Sequence, residues 1–314
     1  MTNVAPVCVV FNPEAGTAEG IETLRRDLDN GSGIEFCPTE GPGDAARIAG
    51  EAVAATRRVV VAAGGDGTVS QVVNGLMDAR APGGALPDLL VLPFGTGNDL
   101  VRTLELPDTP EECLKLLQTG RRRALDVLRW RLHPTDGGPE RSGWCINVVA
   151  GGFSAKLKES LTPEIKKFWG PLAYARAAMG SVDELEHPHK LTFRIDDGEA
   201  RTFEAINVIV ANARYAGGGM EVAPAADPSD GRLEFVVITP GDWLDLAGVT
   251  AKLLLGEVDQ SQHTINISAT SVELKAEPAM PFNIDGDPVG EGSLRVEVAP
   301  AALNVLVPGE TSEA

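Results

Sequence analysis

The 314-residue chain is poor in cysteine, in positive charge and in long apolar runs, and each shortage closes off a class of protein. Its four cysteines, Cys8, Cys37, Cys113 and Cys145, are widely spaced and form no Cys-x-x-Cys. Neither a disulfide framework nor a zinc site is suggested, and buried thiols in a reducing cytoplasm are expected. The four histidines, His133, His187, His189 and His263, show no metal-ligand spacing. Lys and Arg number 27 against 45 Asp and Glu, a formal charge of −18. Nucleic-acid binding rests on clustered positive charge, so an acidic surface of this size speaks against it. The same surface disfavours non-specific adhesion to anionic membranes. No apolar run approaches the roughly 20 residues that span a bilayer. The first residues lead into a strand-like stretch without the basic segment of a signal peptide. A soluble, cytoplasmic protein is the expectation.

What remains is ordinary globular composition, 43% hydrophobic and 23% charged. At about 150 residues per domain the length predicts two domains. Up to about residue 125, short β-rich runs alternate with helical ones. Strands are expected at Val7–Phe11, Gly33–Cys37, Arg58–Ala63 and Asp88–Leu92, and helices at Glu19–Leu28, Asp44–Ala55, Val69–Met77 and Pro110–Gln118. That alternation implies βαβ units and a mostly parallel sheet. After Asp126 strand-like segments dominate: Val127–Leu132, Trp144–Val149, Lys190–Ile195, Phe203–Val210, Leu233–Ile238, Thr264–Ala269, Ser271–Lys275, Pro281–Ile284, Ser293–Val298 and Leu303–Val307. They read as a β-sandwich interrupted by helices within Ser154–Glu186 and Trp243–Leu255. Arg121–Arg123 reads as a solvated connector, and Thr135–Pro139 as a hairpin loop.

The most informative segment is a buried strand, the loop Gly64-Gly65-Asp66-Gly67-Thr68 and an amphipathic helix. Glycine lets the backbone approach an anion, and the helix start offers free N–H groups and positive dipole character. A carboxylate beside phosphates needs an intervening cation, so Asp66 points to Mg²⁺ with a nucleotide. Gly95-Thr96-Gly97-Asn98-Asp99 repeats the pattern after the next strand, where Asn98 or Asp99 serves equally as an N-cap. Asn12-Pro13-Glu14-Ala15-Gly16-Thr17 follows the first strand. Three such turns at the carboxyl ends of strands in one parallel sheet converge on one crevice, the place for a polyphosphate.

At these residues the sequence resembles the diacylglycerol kinase-like lipid kinases, which include sphingosine and ceramide kinases. Gly64–Thr68 matches that family's G-G-D-G-T, an element shared with NAD kinases and phosphofructokinases, and Gly95–Asp99 matches its more specific G-T-G-N-D. The likeness continues through Leu125-Asp126-Val127, Gly170–Tyr174, Ala223-Pro224 and Asn283–Asp287. It implies a three-layer α/β nucleotide-binding domain over 1–126 with about 300–310, a lipid-binding β-sandwich over 127–299, and a last strand returning to the first domain. It implies ATP binding by Asn12, Pro13, Glu14, Gly16, Thr39, Gly64, Gly65, Asp66, Gly67, Thr68, Gln71, Gly95, Thr96, Gly97 and Asn98. Asp66, Asp99 and Asp126 would organise a catalytic Mg²⁺. Asp230, with the carbonyls of Asp227 and Arg232, would hold a structural one.

The family's catalytic base is the acidic residue after Asp-Gly in the late motif, here Asp287 in place of Glu. Read alone, Asp285–Pro288 is a tight turn between strands. The shorter side chain draws the carboxylate back by about 1.5 Å. Ser70-Gln71 stands where the family has Asn-Glu and Ser154 where it has Asp, departures that bear on substrate identity. Lys156, Lys158, Lys166 and Lys167, half of the eight lysines, lie beside Phe168, Trp169, Leu172 and Tyr174. Such a patch suits peripheral contact with the inner membrane face, core packing with solvated lysines being the plainer reading. The leading expectation is transfer of the ATP γ-phosphate to a hydroxyl of diacylglycerol or a related lipid, with a homodimer as one candidate state. Phosphorylation of a soluble acceptor such as NAD, and a non-catalytic nucleotide-binding regulator, are the alternatives.

Overall fold

The computed structural model describes residues 7–13, 20–21, 23–24, 33–152, 188–241 and 263–309. The chain divides into two compact units, Met1–Leu125 with Ala301–Ala314, and Asp126–Pro300. Along the first run β1 (Val7–Phe11), β2 (Ile34–Pro38), α1 (Asp44–Ala54), β3 (Val59–Gly64), α2 (Asp66–Asp78), β4 (Asp88–Pro93), α3 (Asp99–Thr103) and α4 (Pro110–Thr119). Of the helix expected at Glu19–Leu28, Gly20, Ile21, Thr23 and Leu24 are described, and all are helical.

β1 pairs in parallel with β2 and with β3, and β3 with β4. Every residue of β3 and β4 is buried, as apolar strands must be in a sheet covered on both faces. The amphipathic helices supply the cover. α1 buries Ala45, Ile48, Ala49 and Ala52, and α2 buries Val69, Val72, Val73 and Leu76. α4 starts at Thr109, whose hydroxyl accepts from the Glu112 N–H and which precedes Pro110, a residue suited to the first helical position.

The second unit contains β5 (Arg121–Pro134), β6 (Arg141–Cys145), β7 (Val148–Gly152), β8 (His189–Ile195), β9 (Arg201–Ala205), β10 (Asn207–Ala211), β11 (Tyr215–Ala216), β12 (Met220–Glu221), β13 (Leu233–Ile238), β14 (Thr264–Ala269), β15 (Ser271–Glu277), β16 (Pro281–Ile284) and β17 (Asp287–Val307). β5 and β17 begin or end in the first unit. One layer runs β14-β13-β10-β7-β16-β17, and the other joins β6, β5, β17, β15, β8 and β9. Leu128, Leu132, Val149, Phe193, Val208, Phe235, Leu274, Phe282 and Leu294 form the core between them. The opposite face of β7, β10 and β13 carries Val148, Ile209, Ala211 and Val236, packed against Val222, Ala223 and Ala226.

Several expected strands have different limits. Phe203–Val210 is two strands, because the chain leaves β8's layer at Ile206 and joins β13's layer in β10. Ser293–Val298 and Leu303–Val307 belong to one 21-residue strand, β17. It pairs with β16, then with β15, and finally in parallel with β4 through Val305 and Leu89. Arg121–Arg123 is no connector but the start of β5, and Arg122 Nε lies 2.8 Å from Asp88 Oδ2. The helices expected within 154–186 and 243–255, together with the lysine and aromatic patch at 156–174, lie outside the described residues. Among the described residues no helix is long and apolar enough to cross a membrane.

Candidate active site

In a parallel sheet the register decides which loops share an edge. Phe11 is opposite both Pro38 and Ala63, Ala63 opposite Leu92, and Gly64 opposite Pro93. Asn12 and Pro13, Thr39, Gly64–Thr68 and Gly95–Asn98 therefore all follow the carboxyl ends of adjacent strands. Asn12, Pro13 and Thr96 are exposed, and Thr39, Thr68 and Gln71 half-buried. Thr39 N–H donates to Phe11 O at 2.8 Å, tying the second turn to the first. Glu14 and Gly16 lie outside the described residues.

The two glycine loops pack backbone against backbone. A Cβ on Gly95 would stand 2.5 Å from Gly65 Cα, and one on Gly65 would stand 3.2 Å from Gly95 Cα. Neither position accepts a side chain without moving main chain. At Gly67 a Cβ would meet nothing within 4 Å, so open space faces the first turn of α2, which starts without a side-chain cap. Asn98 adopts the left-handed conformation at φ 51° and occupies the cap position of α3, yet its side chain does not cap the helix. Its amide closes the loop instead: Gly95 N–H donates to Asn98 Oδ1 at 3.0 Å and Asn98 Nδ2 donates to Gly95 O at 2.9 Å.

Asp66 joins the loops. Its Oδ1 accepts from Asp99 N–H at 2.7 Å, and the N–H groups of Asn98 and Leu100 also act on the carboxylate. Burial raises the Asp66 pKa from its ordinary value, and those N–H groups pull the other way. The acid that sequence reasoning assigns to a cation thus also anchors the start of α3. Asp99 is buried.

In the second unit Asp285-Gly286 forms a two-residue hairpin turn with both φ positive, 47° and 91°, as the Asp-Gly pair favours. Asp287, exposed, opens β17 opposite Ile284. Asp285 was not singled out by sequence, and it holds the turn. Its Oδ1 accepts from Asn147 N–H at 2.9 Å and Val148 N–H at 3.1 Å, and its Oδ2 from Ile146 N–H at 2.9 Å. Cys145 Sγ–H adds a contact at 3.1 Å. Burial raises the Asp285 pKa, opposed by these bonds, and pushes up the Cys145 thiol as well. These bonds explain why the expected strand Trp144–Val149 is broken at Ile146-Asn147, whose N–H groups serve a side chain instead of a ladder. The one available signal was an Asp in the first position of a tight turn.

Asp126 also lies in the second unit, nearly fully buried. Its Oδ2 accepts from Gly231 N–H at 2.7 Å and its N–H donates to Pro228 O at 2.7 Å, so it fastens the Asp227–Arg232 turn. Within that turn Asp227 Oδ1 accepts from Ser229 N–H and Asp230 Oδ1 from Arg232 N–H. Among the described residues no three His, Cys, Asp or Glu side chains converge as a metal-ligand set.

A parallel sheet with glycine loops at one edge, together with an antiparallel sandwich, is a two-domain architecture found among kinases. The diacylglycerol kinase catalytic domain profile matches residues 6–130, and that of the YegS C-terminal NAD kinase beta sandwich-like domain matches 147–307. The chain belongs to the YegS-like, diacylglycerol kinase-like family of lipid kinases. It is 32% identical over 295 residues to "Probable lipid kinase YegS-like" of Xanthomonas euvesicatoria, covering 93% of this chain and 91% of that one. Identity to the Pseudomonas aeruginosa protein of the same name is 31%, with coverage of 96% and 93%. A Bacillus anthracis diacylglycerol kinase structure superposes with a TM-score of 0.76 at 22% identity, covering 98% of each chain. Yeast NADH kinase shares the fold more distantly, with a TM-score of 0.58 at 13% identity over 99% of this chain and 85% of that one.

Proposed function

We propose that this protein transfers the γ-phosphate of ATP to a hydroxyl of diacylglycerol or a related lipid. The observation that carries the nucleotide half is the edge where four successive βα turns meet, with the Gly65 and Gly95 backbones in contact and open space at Gly67. A helix start beside a glycine loop at such an edge suits the phosphates of a nucleotide. The lipid half rests on family membership and on the match of Gly95–Asp99 to the lipid-kinase motif.

Phosphoryl transfer asks the protein mainly for position and charge. In this reading Gly64–Thr68 and Gly95–Asn98 seat the phosphates, and Asn12, Pro13, Thr39 and Gln71 border them. Asp287 accepts the proton of the lipid hydroxyl as its oxygen attacks the γ-phosphorus and ADP departs. Mg²⁺ accompanying a nucleotide takes only one or two protein carboxylates, the rest being phosphate and water, and Asp66 and Asp99 fit that need. When bound it neutralises phosphate charge.

The test is transfer of labelled γ-phosphate from ATP to a mixed lipid extract in detergent micelles, with and without Mg²⁺. A labelled lipid that needs Mg²⁺ and is lost with Asp66→Asn supports the proposal. Label in a water-soluble acceptor such as NAD, or none despite saturable ATP binding, overturns it.

A further inference from the structure

Cys8 and Cys37 stand on neighbouring strands with their sulfurs 3.2 Å apart. Both are free thiols. In the β1–β2 register Cys8 is opposite Glu35 and Cys37 opposite Val10, so the two cysteines are diagonal partners on one face of the sheet. Cys8 is buried, whereas Cys37 is half-buried and reachable from solvent. Cys8 donates its S–H to Cys37. That bond lowers the Cys37 pKa and raises that of Cys8; burial and the Glu35 carboxylate oppose the Cys37 thiolate, and the Arg57 guanidinium, ion-paired with Glu35, favours it. The other two cysteines are buried, Cys113 beside the Pro107 carbonyl and Cys145 beside Asp285.

We propose that Cys8 and Cys37 are a redox modification site, oxidised by hydroperoxides to an intramolecular disulfide between β1 and β2. The Cys37 thiolate attacks one peroxide oxygen, breaking the O–O bond and forming a sulfenic acid while hydroxide leaves. Cys8 sulfur then attacks the Cys37 sulfur and displaces the sulfenic oxygen as water, its own proton completing that water. In sum, two thiols and one hydrogen peroxide give one disulfide and two waters. The geometry favours this closure over further oxidation, because the resolving thiol already touches the attacking one.

Closing the bond shortens the sulfur separation from 3.2 Å to the disulfide length, a contraction of about 1.2 Å. Diagonal strand neighbours sit about 7–8 Å apart, at or beyond the roughly 7 Å of Cα separation that disulfides span, so closure has to move the backbone. It falls on the carboxyl end of β2, two residues before Thr39, whose N–H holds Phe11 O. Resting on the reading of that edge as the ATP site, the crosslink is expected to weaken ATP binding several-fold.

The experiment treats the full chain with hydrogen peroxide, then denatures and alkylates it. The reduced protein takes four labels. The oxidised protein is expected to take two, to lose two hydrogen atoms in intact mass, and to yield a tryptic crosslink of the Cys8 and Cys37 peptides that dithiothreitol cleaves. Four retained labels, or Cys37 carried to sulfinic acid with Cys8 still labelled, would overturn the proposal. Cys37→Ser, at the half-buried position, must abolish the crosslink; Cys8→Ala repeats the test from the buried side. ATP titration of the same samples is a separate arm. Unchanged affinity in crosslinked protein overturns the coupling to the nucleotide, while failure of the reduced protein to bind ATP counts against the proposed function and leaves the label count decisive for the thiols.

Discussion

Asp66 and Asp285 perform the same physical task in the two units by different means. Each carboxylate collects backbone N–H groups from a loop distant in sequence, Asp66 from Asn98–Leu100 and Asp285 from Ile146–Val148. In the first unit the loops are also glycine-rich and meet backbone to backbone, so the carboxylate is one of several restraints. In the second, one side chain gathers three N–H groups and fixes the hairpin from which Asp287 projects. The lesson is that a site assembled from main chain is redundant, and a site hung on one turn is not.

The largest effect is expected from Asp285→Asn. An amide cannot accept from all three N–H groups, and leaving a buried N–H without its acceptor costs about 1–3 kcal/mol. A loss of about that size is expected as a lowered urea midpoint; an unchanged midpoint would show that the turn does not depend on Asp285. The same residue carries a pH dependence. Burial raises the Asp285 pKa, so the folded state holds the proton more tightly than the unfolded chain. Its contribution is present below the ordinary carboxylate pKa of about 3.9 and is lost as pH rises through the raised value. Asp285→Asn should remove that slope.

Asp66→Asn comes next. Moving the start of α3 by about 1 Å is enough for a loss on the order of 10²-fold in transfer rate. Labelled-phosphate assays read it directly, and wild-type turnover would separate Asp66 from the chemistry. Gly95→Ala should destabilise by about 1–3 kcal/mol, since its Cβ would press on the main chain of Gly65, and thermal melting checks this. Gly67→Ala gives the smallest stability change, within about 0.5 kcal/mol, because nothing stands where its Cβ would go. If phosphates use that space, the same substitution weakens ATP binding at unchanged stability; equal ATP affinity would place the phosphates elsewhere.

The first unit was legible because its determinants are local. Apolar strands such as Val59–Ala63 and the glycine turns that follow them are contiguous, and the parallel register brings the turns together without further instruction. The second was less so. Nothing within Trp144–Val149 announces a break at Ile146-Asn147; the cause is a carboxylate almost 140 residues later. The crossing of the chain between layers at Ile206 is likewise a tertiary event, within a strand-like run that no Gly or Pro interrupts. β17 was read in fragments because Gly292 and Pro300 punctuate it. A Cβ on Gly292 would lie 2.1 Å from His133 O, so this glycine marks a close crossing within a continuing strand and no end.

The same long strand sets an order on biosynthesis. Residues Ala301–Val307 supply the fifth parallel strand of a sheet whose other four come from the first 93 residues. Until they emerge, β4 is an open apolar edge, the kind of surface that invites pairing with another chain. The unit encoded first is therefore the unit completed last. An expressed fragment ending near Leu125 would carry that open edge permanently, and supplying the C-terminal strand as a separate peptide should restore its solubility.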